Sequence, residues 1–218
     1  MTRSETDSIL LEARIAFEAG NLAKVVTLLT PLADAGHAEA QFQLGFLYFT
    51  EYDYPASEAF SWLTRAAKQN HAEAYYCLAT FPSSEDFVPS RGETDLVALL
   101  KKAGELGSLR AQYDLGACYA TGDWVGDWVG PKDEAEAVKW YAKAAERGCV
   151  EAQYNLGLMV FVGEGTAQDT ARGIEWLVKA AEQGSKEAAR LLVDIYRNGL
   201  YGVARDIEKA AYWETGQI

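Results

Sequence analysis

The chain has 218 residues and a formal charge of −12, from 32 acidic against 20 basic side chains. That charge repels nucleic-acid phosphates and anionic membrane surfaces, so it argues against both as partners and for a basic or mixed-charge protein instead. Three cysteines, Cys77, Cys118 and Cys149, lack the density of a disulfide framework and the paired spacing of a zinc site, and read as reduced thiols.

At the N-terminus, Glu5, Asp7, Glu12 and Arg14 interrupt the apolar run that a signal peptide needs, and no transmembrane stretch follows; the expected location is the cytoplasm. Residues 6–19 and 22–35 predict a first helix pair, broken at Gly20-Asn21, with Val25, Leu28, Leu29 and Leu32 on one face of its second member. Such a pair would cap a repeat array.

From residue 36 onward one pattern returns five times: Ala40, Leu44, Gly45, Tyr48; Ala74, Leu78; Ala111, Leu115, Gly116, Tyr119; Ala152, Leu156, Gly157; Ala188, Leu192, Tyr196. Successive alanines stand 34, 37, 41 and 36 residues apart, the interval of a copied supersecondary unit. Apolar residues at i, i+4, i+7 and i+8 place these segments on helices, here called A helices. A second, B helix follows each, marked by a small residue, a tryptophan three later and an alanine pair: Ala59, Trp62, Ala66, Ala67; Ala137, Trp140, Ala144, Ala145; Gly173, Trp176, Ala180, Ala181. The small residue would let a neighbouring backbone approach while the tryptophan fills the gap. Leu96 and Leu99 replace that pair in the second repeat, where the B helix is still expected. Asp133, Asp169 and Asp206 are expected to cap B helices, Gly148 and Gly184 to close them, and Gly122, Gly163 and Gly199 to end A helices. Pro82 should end the second A helix early and leave residues 81–94 as a loop. The words Gly-Asp-Trp-Val occur twice, at 122–125 and 126–129, as an in-frame duplication within a loop. The last B helix stops soon after Trp213, either as a second cap or because the natural chain continues.

The composite pattern, best kept in residues 111–148 and 152–184, resembles the Sel1-like repeat, a relative of the tetratricopeptide repeat. The resemblance covers residues 36–213 as five repeats, the last truncated, in a single array spanning 1–218 with the pair at 6–35 as its N-terminal cap. It implies an all-α fold, a right-handed α/α superhelix (solenoid) of about six antiparallel helix pairs, acting as an adaptor or scaffold with no activity common to the family.

Catalytic constellations are absent from the sequence. His37 and His71, the two histidines, both open A helices in the words His-Ala-Glu-Ala and read as helix-start residues; Glu39, Glu73, Glu151 and Glu187 sit in first turns where the macrodipole favours them. The glycine stretches around Gly163 and Gly199 lack the lysine of a phosphate cradle. No enzyme, cofactor, metal or small-molecule substrate is expected.

Positions two, six and nine beyond each anchoring alanine lie across the A helix from its leucine face. There stand Phe42, Phe46, Phe49, Tyr76, Tyr113, Tyr154, Leu158, Phe161, Arg190, Asp194 and Arg197. The resemblance implies that this side lines a concave groove, where tyrosine and arginine would anchor a protein or peptide. The alternative is that these aromatics pack between adjacent A helices. Trp124 and Trp128, on the duplicated loop, form a second candidate anchor, unless one folds back over the array edge. The leading function is a non-enzymatic protein-interaction scaffold. An immunity protein occluding a bacterial toxin, as some members of the resembling family do, is the second, and an enzyme the weakest.

Overall fold

A computed structural model describes residues 3–51, 55–81, 96–123 and 131–215. Twelve α-helices and no β-strand form among them: α1 (Arg3–Glu18), α2 (Leu22–Asp34), α3 (Ala38–Thr50), α4 (Ala56–Ala67), α5 (Ala72–Ala79), α6 (Leu96–Glu105), α7 (Leu109–Thr121), α8 (Glu134–Glu146), α9 (Val150–Val162), α10 (Thr170–Glu182), α11 (Lys186–Asn198) and α12 (Ile207–Thr215). The chain divides into two units, Met1–Ser108 with α1 to α6 and Leu109–Ile218 with α7 to α12. Within each unit every helix packs on its neighbours in sequence, and A helices also touch the next A helix, α3 on α5 and α7 on α9. The fold is the all-α solenoid that the repeats predict.

Helix ends form where the sequence places them. Asp133, Asp169 and Asp206 accept hydrogen bonds from the amides of Glu136, Arg172 and Lys209 at 3.1, 3.0 and 3.0 Å. His37 and His71 serve as N-caps of α3 and α5: Nδ1 accepts from the amides of Ala40 at 3.4 Å and Ala74 at 3.3 Å. An accepting Nδ1 carries no proton, so the capping ring is the Nε2–H tautomer. Ser185 does the same work for α11, accepting from Ala188 at 3.2 Å. Gly163 and Gly199 end α9 and α11 at φ +84° and +70°, left-handed conformations that an L side chain rarely adopts. Helix α5 stops at Ala79, five residues shorter than the 13 of α3, while α6 forms with Leu99 buried. Pro82 itself and the duplicated Gly-Asp-Trp-Val segment beyond Asp123 lie outside the described residues.

One packing expectation needs correction. The volume that meets the small residues of the A helices comes one position after the tryptophan. Leu63, Leu100, Tyr141 and Leu177 are the deeply buried members, whereas Trp140 and Trp213 are buried but Trp62 and Trp176 only half-buried. A Cβ built on Gly45 would stand 2.8 Å from Leu63 Cγ, one on Gly116 2.5 Å from Tyr141 Cδ1, and one on Gly157 2.9 Å from Leu177 Cγ. One residue turns a helix by about 100°, enough to swing Leu177 into the seam and Trp176 to its edge. Trp62, Trp140 and Trp176 each gain a cation three residues on. Arg65 Cζ lies 4.2 Å from the Trp62 ring centroid, Lys143 Nζ 3.8 Å from Trp140 and Lys179 Nζ 4.0 Å from Trp176.

Candidate protein-interaction surface

Of the A-helix residues singled out in the sequence, seven line three cavities, Phe161 is core, and Phe49, Tyr76 and Leu158 are half-buried outside them. In the first unit, Phe42 and Phe46 line an apolar cavity of about 130 Å³ with Phe17, Val25 and Leu47. Phe42 also stacks on the His71 ring, centroids 4.3 Å apart, and Phe49 packs at 5.2 Å against Phe81. These rings bridge neighbouring helices and keep part of their surface in solvent. Tyr76 is half-buried on α5.

In the second unit, Tyr113 of α7 and Tyr154 of α9 wall one cavity of about 520 Å³ with Glu151, Asn155 and Glu187. Burial, then the carboxylate of Glu151, raises the Tyr113 phenol above the ordinary tyrosine range. Its ring rests on Tyr141 at 5.9 Å. Arg190 and Arg197 line an adjoining cleft of about 590 Å³, floored by Val193 and Trp213 and bearing Lys186 and Asp194. Arg197 is held there by Glu214, Nη2 to Oε2 2.7 Å. Leu158 is half-buried.

Phe161 does not belong to this surface. It is 1% exposed, its backbone pressed against Gly173 and its ring covered edge-on by Tyr201 at 5.0 Å. The glycine in the B helix lets α9 and α10 approach so closely that position nine becomes core. Trp124 and Trp128 lie outside the described residues.

Sequence reasoning missed a polar seam between repeats. Gln41, Gln112 and Gln153, each next to an anchoring alanine, are buried. Gln41 Nε2 donates to the Ala33 carbonyl at 2.9 Å, while its Oε1 accepts from Gln69 Nε2 at 2.8 Å. Gln153 repeats the arrangement, donating to the Ala145 carbonyl at 3.1 Å and accepting from Gln183 at 2.6 Å. Gln112 accepts from Arg147 Nη1 at 3.2 Å. Each glutamine thus ties an A helix to a helix end in the repeat before it or to the turn after its own B helix. The signal was the recurrence of glutamine beside the alanine.

None of the three cysteines forms a disulfide: Cys77 and Cys118 are buried, and Cys149 stands half-exposed before α9. Among the described residues no three histidine, cysteine or carboxylate side chains gather as a metal site, and no helix is long and apolar enough to cross a membrane.

A family model of the Sel1 repeat matches residues 38–71, 109–149, 150–185 and 187–213. The chain belongs to the Sel1 repeat family. Its structure resembles a Sel1 repeat protein from Oxalobacter formigenes at 25% identity and TM-score 0.71, over 99% of this chain and 89% of that one. It also resembles a protective antigen of uropathogenic Escherichia coli with an SLR fold, at 34% identity and TM-score 0.73, over 88% of this chain and 40% of that one. An immunity protein from Pseudomonas aeruginosa shares the fold at 19% identity and TM-score 0.60, over 96% of this chain and 79% of that one. No curated protein matches the sequence significantly.

Among the matched Sel1 repeats, those at 109–149 and 150–185 supply the two tyrosines of the second-unit cavity and the one at 187–213 both arginines of the adjoining cleft. Residues 72–108, with α5 and α6, fall outside the match.

Proposed function

We propose that this Sel1 repeat protein is a non-enzymatic, cytoplasmic scaffold that holds a protein or peptide of mixed charge against the A-helix face of its repeats. The observation that carries this reading is the cavity shared by Tyr113 and Tyr154. The same position of two successive A helices contributes its side chain to one solvent-open hollow of about 520 Å³. Aromatic rings half in solvent, on a rigid stack of helix pairs, are the anchors protein interfaces favour. Such a surface binds by complementarity across repeats and needs no reactive group.

The test is capture from the host lysate with immobilised wild-type chain and with a Tyr113→Ala/Tyr154→Ala variant whose helicity is checked by circular dichroism. A protein retained by the wild type and lost by the variant supports the reading. Equal retention by both, or retention of nothing, overturns it. The immunity reading rests on the fold shared with the Pseudomonas aeruginosa protein and on the net charge of −12. Rescue of cells from a co-expressed toxin would establish it in place of a general adaptor.

A further inference from the structure

The tyrosine cavity and the arginine cleft are not separate. Gly184 and Ser185, the turn between α10 and α11, line both, so the two hollows meet across a single turn of backbone. Their charges are opposite. The tyrosine cavity holds Glu151 and Glu187 and no basic residue. Neither carboxylate has an ion pair among the described residues, and two aromatic rings stand beside them. Carboxylates flanking π-faces present the environment that a guanidinium or ammonium group prefers.

On the other side of Ser185, Lys186 and Arg190 project from successive turns of α11 into the cleft, again without an ion pair among the described residues. The far end of that cleft carries Asp194 and the Arg197–Glu214 pair, so three basic side chains face two acidic ones and the cationic excess lies at the Ser185 end. Ala189, Val193 and Trp213 give it an apolar floor. In a chain of charge −12 this is a local cationic hollow, and what it complements is a carboxylate on an apolar stem.

We infer that the partner of this protein presents a short segment with a basic side chain seated between Tyr113 and Tyr154 and an acidic side chain seated at Lys186 and Arg190, laid across the Gly184–Ser185 turn. This deepens the scaffold reading and rests on it. The paired, opposite hollows fix direction as well as composition. A segment with its charges exchanged meets like charge at both seats, which costs affinity instead of adding it.

The experiment is selection of a displayed library of random short peptides on the full-length chain, followed by calorimetry of the enriched sequences. Enriched peptides are expected to carry one basic and one acidic residue in a constant order. A Glu151→Gln/Glu187→Gln variant should weaken them by about tenfold, and replacing the peptide's basic residue should have no further effect in that background. Lys186→Gln/Arg190→Gln should do the same for the acidic residue. All four positions are exposed, Glu151, Lys186 and Glu187 in helix first turns and Arg190 one turn further on, and thermal melts confirm the fold. Peptides that bind but ignore both variants overturn this assignment and leave the scaffold reading standing. Enrichment of no peptide by the wild-type chain counts against both.

Discussion

Gly157 lies against Leu177 so closely that a methyl group on it would stand 2.9 Å from Leu177 Cγ and 3.0 Å from the Leu177 backbone nitrogen. The Gly173 carbonyl would be 3.1 Å away, so two of the three contacts are with backbone, which cannot rotate aside. Gly157→Ala would raise helix propensity by about 1 kcal/mol but force α9 and α10 apart, at a cost of about 1–3 kcal/mol or more. The expected net result is destabilisation, read as a lower urea midpoint with an unchanged slope. Gly184→Ala provides the contrast: nothing lies within 4 Å of its Cβ direction, and the cost there comes from φ +95° alone.

Leu177 and Trp176 divide the labour that the sequence pattern assigns to tryptophan. Leu177→Ala empties a fully buried site and should cost about 2–5 kcal/mol. Trp176→Ala, at a half-buried position, should cost less than Leu177→Ala despite the larger side chain. Lys179→Ala removes only the cation over the indole, an effect of about 0.5–1 kcal/mol. Denaturant melts of the three variants test the order; Trp176→Ala as the most damaging would return the seam to the tryptophan.

What the sequence made legible is what local physics writes. Asp133, Asp169 and Asp206 announce their role because an N-cap and the amide it accepts from are three residues apart. The repeat interval announces stacking because each unit must bury the same face. Phe161 was misread because its burial is decided elsewhere, by Gly173 on the next helix and Tyr201 beyond the one after it. The meeting of Tyr113 with Glu187 in one cavity likewise depends on how three helices pack, which periodicity along one helix does not encode.

Gln153 joins the Ala145 carbonyl, which also accepts from the Gly148 amide, to the side-chain amide of Gln183, which also reaches the Lys179 carbonyl at 3.4 Å. Gln153→Ala should destabilise the chain by about 0.5–1.5 kcal/mol per lost hydrogen bond, because it removes both side-chain bonds of a buried seam while the Gly148 amide still satisfies the Ala145 carbonyl. Gln183→Ala, at an exposed position, should cost less. Amide hydrogen exchange should show faster exchange at the α8–α9 turn in the first variant, and unchanged protection there would refute the role given to the glutamine.

His71 caps α5 through Nδ1, and its Nε2 lies 3.1 Å from Glu39 Oε2. His71→Ala should cost about 1 kcal/mol at neutral pH and His71→Asn less, since asparagine restores the cap. The hydrogen bond from His71 holds the Glu39 carboxyl below the ordinary carboxylate range. A depressed folded-state pKa gives stability that is present above the unfolded value, about 4.3, and is lost as pH falls through the lower folded value. The stability gap between wild type and Glu39→Gln should therefore be open at pH 7 and close on acidification. A gap that stays constant down to pH 3 would remove Glu39 from the account.

Burial, and after it the charge of Asp114, pushes the Cys118 thiol up to about 11. Unfolded, the same thiol ionises near pH 8.5, so between about 8.5 and 11 the unfolded chain gains a charge that the folded chain refuses. The contribution is complete below pH 8.5 and lost as pH rises through the folded value; Cys118→Ala should flatten that part of the alkaline limb. Labelling reports the same environment from the kinetic side. Cys149 is half-exposed, its thiol raised by burial and set 3.5 Å from Glu151 Oε2, so an iodoacetamide-type reagent at pH 8 should reach it first but more slowly than a free thiol. Cys77 and Cys118 should label only as fast as their helices open, and together on adding denaturant. A second thiol reacting at the Cys149 rate in the native Cys149→Ala chain would show that the interior of the array is not closed.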